Sequence, residues 1–90
     1  MATKSAAKTK ANTEVDVNAF VRGQLRVLQD TMRDSDFAQK NGVHVSDLQG
    51  WKSGAVIPCL YALKFLACRN GMEVESFFPQ GKIPDDYPTH

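Results

Sequence analysis

Long apolar runs are missing from this chain. No stretch of its 90 residues approaches the ~18 consecutive apolar positions that a membrane-spanning helix needs, so no membrane partner is expected. The lysines near the N-terminus are followed by no apolar segment, which argues against a secretory signal. Cysteine is scarce: Cys59 and Cys68 stand nine apart on one expected helix. That separation corresponds to about 13 Å at 1.5 Å per residue, too far for a bridge whose Cα atoms must lie within ~7 Å. Free thiols in a reducing cytoplasm are the expectation. The two histidines, His44 and His90, are far apart, and no CxxC or HxxxH spacing exists, so neither a metal nor another cofactor is expected. No thiol has a histidine near it in sequence, and no glycine-rich loop could cradle a phosphate, which leaves no enzyme chemistry in view. An excess of one charge is absent too. Eleven Lys and Arg against ten Asp and Glu give +1, less basic than many nucleic-acid-binding domains.

Ninety residues suffice for one small domain. Residues 1–14 open with MATKSAAKTKAN, too poor in apolar residues to offset the entropy of ordering, and are expected to be a disordered basic arm. Lys4, Lys8 and Lys10 make it positive. It serves either as a solubilising tail or as an arm that follows a phosphate backbone or enters a minor groove.

The domain is expected over residues 15–78. Asp16 can cap a helix, along which Val17, Phe20, Val21, Gln24, Leu25, Leu28 and Met32 form one stripe, with Arg22, Arg26 and Gln29 outward. Asp34 or Ser35 caps a second helix that buries Phe37 and Ala38 and ends at Gly42. A third helix follows, starting at His44 or, by a rival capping box of Ser46 with Gln49, two residues later. Leu48 and Trp51 anchor it, three positions apart. Pro58 opens a fourth helix whose Leu60, Leu63, Leu66 and Ala67 face the core while Tyr61, Lys64, Phe65 and Cys68 are more exposed. Ile57, Val74 and Phe77 complete the expected core. Residues 79–90 hold three of the four prolines. Ile83 and Tyr87 offer anchors there, but a loose terminus is the expectation.

Phe37, Ala38, Gly42, Val43, Gly54, Pro58, Leu66, Ala67, Gly71, Met72, Val74, Phe77 and Phe78 match without a gap the pattern of a known family. By these residues the chain resembles the helix-turn-helix family of phage repressors, Cro proteins and XRE-type regulators, over roughly half its length. The resemblance implies an all-α, compact four- to five-helix lambda-repressor-like domain. It also implies a homodimer binding palindromic double-stranded DNA as a transcriptional regulator, a repressor of phage or mobile-element type. Asn70 stands where that family usually has Leu, and Asp34 where relatives often carry a phosphate-contacting Gln.

The same alignment places Val45, Ser46, Asp47, Gln49, Gly50 and Ser53 on the reading face. Gln49 has the chemistry to hold an adenine, Ser46 to bond a base or phosphate, and Val45 to touch a thymine methyl. Lys52 and Lys40 are candidates for phosphate contacts. Against this, Asp30, Asp34, Asp36 and Asp47 outnumber Arg33, Lys40 and Lys52 in the segment, which a polyanion does not favour. The alternative is a helix-turn-helix scaffold turned to a protein partner, as antitoxin or inhibitor. Exposed Tyr61 and Phe65, one helical turn apart, form either a dimer or partner patch, or a pair in which Phe65 packs under the C-terminal tail.

Overall fold

A computed structural model describes residues 16–90. Lys4, Lys8 and Lys10, and the arm they belong to, lie outside the described residues. Four α-helices and two 3-10 turns make up the regular structure, with no strand among the described residues: α1 (Val17–Gln29), α2 (Asp34–Asn41), α3 (Val45–Ser53), α4 (Leu60–Arg69), then turns at Val74–Phe77 and Pro79–Gly81. No helix among them is long and apolar enough to cross a membrane.

α1 starts where Asp16 accepts the amide of Ala19 at 3.1 Å, satisfying one of the unpaired donors of the first turn. It stops at Gln29, three residues before the apolar stripe ends, because Asp30 adopts φ 56° and returns its amide to the Arg26 carbonyl. Asp30 to Arg33 then supply the link to α2. Arg33 occupies the α2 cap without a side-chain bond, and Asp34 is the first helical residue rather than the cap. Gly42, at φ 72°, ends α2 in the left-handed conformation that glycine adopts without a Cβ penalty. A three-residue turn leads to α3, which begins after His44, so the rival start at Ser46 is not used.

The core joins Val21 and Leu25 of α1, Phe37 and Ala38 of α2, Leu48 and Trp51 of α3, Leu63, Leu66 and Ala67 of α4, and Phe77 and Phe78 beyond. Two expectations are corrected here. Ile57 is 45% exposed, because the α3–α4 connection carries it out over the surface. Gln29 is only 6% exposed. It lies one helical turn past Leu25, on the buried face, and donates to the Met32 carbonyl at 2.8 Å and to Asp34 at 2.7 Å.

The C-terminal segment is docked, not loose. Tyr87 is buried, its ring edge-on to Phe78 with centroids 4.9 Å apart, and its hydroxyl donates to the Pro58 carbonyl at 2.7 Å. The carbonyls of Pro88 and Thr89 accept the amides of Leu60 and Tyr61 at 2.8 and 3.3 Å. The tail thus supplies acceptors to the first turn of α4, which no side chain caps. That helix starts two residues after Pro58.

The departure at Asn70 also has a structural partner. Asn41 is buried in α2 and donates to the Phe37 carbonyl at 2.9 Å. Asn70 donates to its side-chain oxygen at 2.8 Å and to the Leu66 carbonyl at 2.8 Å. A polar bridge thus joins the ends of α2 and α4 at the position where the resembled family usually has Leu.

Candidate nucleic-acid interface

Leu48 and Trp51 point α3 inward and thereby determine what its other residues face. Ser46, Gln49 and Ser53 lie on the opposite side and are exposed, with exposed Val45 beside them. This outer strip carries hydrogen-bonding groups and a methyl surface but no charge.

Gly50, also on this side, sits under Val56. A Cβ at Gly50 would come within 3.1 Å of the Val56 side chain. Its carbonyl accepts the amides of Gly54 at 3.2 Å and Val56 at 3.1 Å and the Ser53 hydroxyl at 3.1 Å. Gly50 therefore lets the α3–α4 connection fold back over the end of the helix.

The two charged candidates on α3 lie on opposite flanks. Asp47 turns toward α4, where it lines a groove with His44, Val43, Trp51, Ala62, Phe65 and Tyr61. It stands beside the outer strip and not at its centre. Lys52 turns the other way, toward the start of α2, and its Nζ donates to Asp34 at 2.5 Å. The same carboxylate accepts Gln29, and Gln49 reaches it at 3.5 Å. Hydrogen bonds from Lys52 and then from Gln29 hold the Asp34 carboxyl below its usual range, against the opposing effect of desolvation. The Lys52 carbonyl accepts the Arg26 guanidinium at 2.9 Å, which fastens α1 to the same corner.

Lys40 is exposed near the end of α2, where its carbonyl accepts Arg69 at 2.7 Å. It stands at the far end of α2 from Asp34, away from the Asp34–Lys52 corner. The residues brought together are thus Val45, Ser46, Gln49 and Ser53 on one strip, with Lys52 and Asp34 at its edge. Asp47 and Lys40 stand apart from it. The sequence reading sets Gln29 outward and so misses its part at this corner. Its only signal was its place four residues after Leu25, on the apolar stripe.

Among the described residues, no group of three or more His, Cys, Asp or Glu side chains is gathered as a metal site would require. Cys59 and Cys68 are free thiols. No family model, curated protein or solved structure matches the chain.

Proposed function

We propose that this chain is a helix-turn-helix DNA-binding regulator, acting as a homodimer on a palindromic operator and blocking a promoter by occupying it. The observation that carries this reading is the outer strip of α3. Ser46, Gln49 and Ser53 project from a short helix wedged into the core by Leu48 and Trp51, so their backbone positions are held; the Gln49 amide makes only a 3.5 Å contact to Asp34, while the Ser53 hydroxyl bonds the Gly50 carbonyl and the Ala55 amide. Direct readout needs such side chains on a rigid helix narrow enough for a major groove. In this reading Gln49 contacts base edges, Ser46 and Ser53 bond bases or phosphates, and Val45 meets a thymine methyl. Lys4, Lys8 and Lys10 supply the phosphate attraction that the strip lacks. Lys52 contributes to phosphate binding only by giving up Asp34.

The absence of charge on the outer strip favours a second reading, in which the scaffold binds a different protein. Selection of the full chain against a randomised duplex pool separates the two. Enrichment of a palindrome whose affinity falls steeply with salt supports the regulator. A folded chain that enriches nothing at low salt overturns it.

A further inference from the structure

One face of α4 carries aromatic side chains that the fold leaves uncovered. Tyr61 is 70% exposed and Phe65 40%. They lie four apart and so form one ridge along the helix. Beside the ridge runs the groove of about 290 Å³, with His44 and Asp47 of α3 on its far bank. On the other side of the ridge stands Lys64, also exposed, at the edge of a smaller hollow that it lines with Leu60, Tyr61, Thr89 and His90. Neither Asp47 nor Lys64 forms a salt bridge among the described residues. The ridge is braced, because the Arg69 guanidinium sits 5.7 Å from the Phe65 ring centroid while bonded to the Lys40 carbonyl.

Across this surface the order is acid, groove, ridge, base. A two-fold rotation reverses it to base, ridge, groove, acid. A second copy, turned about an axis between groove and ridge, therefore meets the first in register. Each ridge enters the other's groove, and each Lys64 faces the other copy's Asp47. We propose that this face is the contact between two copies of the chain. A second copy fits it better than an unrelated partner does because the patch complements itself in both relief and sign of charge. The groove opens on the flank of α3 opposite Lys52, so Ser46, Gln49 and Ser53 stay uncovered in the pair. The inference rests on the regulator reading for the reason two copies are needed, and its geometry uses no DNA.

Sedimentation equilibrium of the full chain without DNA tests it. The wild type is expected to dimerise, and Tyr61→Glu and Phe65→Glu to weaken the dimer about tenfold or more. Asp47→Lys and Lys64→Glu should each weaken it, and the two together should restore it. A wild type that stays monomeric at millimolar concentration overturns the proposal. So does a dimer indifferent to these changes, or a double reversal no better than either single one. All four positions are exposed, and circular dichroism on each variant checks that the fold is retained. The two failures are distinguishable: a dimer that selects no duplex removes the regulator reading and leaves the interface, whereas a monomer that selects one does the reverse.

Discussion

The Nζ of Lys52 donates to the carboxylate of Asp34 at 2.5 Å, tying the last turn of α3 to the first residue of α2. The contact bridges the two helices and neutralises the only cation that α3 carries. In the proposed regulator Asp34 is thus an internal competitor for phosphate. Asp34→Asn should release Lys52, raise affinity for duplex DNA, and steepen the slope of log affinity against log salt by about one counterion. Binding isotherms across a salt series check this, and an unchanged slope would leave Lys52 without a phosphate role.

The same carboxylate gives the fold a pH dependence of defined sign. Its folded pKa lies below the ordinary value of 3.8, so its contribution to stability is present above that value. The contribution is lost as pH falls through the lower folded one. Thermal melts should show wild type ahead of Asp34→Asn at neutral pH, with the gap closing below pH 3.8. A gap that persists undiminished into strong acid would show that the ionised pair is not its source.

Tyr87 makes the opposite prediction at high pH. Burial, followed by the nearby Cys59 charge, pushes its phenol from 10 up to about 12. Stability held by the neutral phenol is therefore present below pH 10 and lost as pH rises toward about 12. Tyr87→Phe should lack that alkaline step and lose ~1 kcal/mol at neutral pH, with the Pro58 carbonyl left unpaired. Urea unfolding at pH 7 and in the alkaline range measures both effects.

Much of this architecture was legible from spacing alone. Phe37 with Ala38, Leu48 with Trp51, and Leu63 with Leu66 and Ala67 each lie on one face of a helix at three- or four-residue intervals, and each is buried. Helical periodicity also left Ser46, Gln49 and Ser53 outside, as they are. What spacing could not reveal were contacts between distant segments. The docking of Tyr87 onto Pro58 spans 29 residues, and proline-rich composition gave no hint of it. The reason for Asn70 in place of Leu is likewise invisible to spacing, because its partner, Asn41, lies equally far away. Asp34 looked like a repulsive charge in the segment because pairing with Lys52 depends on how α2 and α3 are set against each other. Asp47 and Gly50 fall among the expected readers because sequence order cannot separate the outer face of a short helix from its flanks.

Asn70 offers a direct check on that polar bridge. Asn70→Leu restores the residue that the resemblance leads one to expect, yet it should destabilise by ~1–3 kcal/mol because the buried Asn41 oxygen loses its donor. Chemical denaturation at neutral pH measures this. A stabilised variant would mean that the apolar gain outweighs the bridge.

Gly23 should behave in the opposite way. It lies inside α1 and is exposed, and a Cβ there meets nothing within 4 Å. Gly23→Ala should therefore stabilise by ~1 kcal/mol through helix propensity alone. Loss of stability in a thermal melt would point to a contact that α1 makes in solution with another molecule.

The claim that the outer strip of α3 reads DNA is tested most directly by one comparison. The duplex selected from a randomised pool is varied one base pair at a time, and the affinities of wild type and Gln49→Ala are measured on each variant. Gln49→Ala is expected to lose ~1–3 kcal/mol of discrimination at one base pair per half-site and to keep its preferences elsewhere. Equal weakening on every duplex, or a folded chain that selects no duplex, would contradict it.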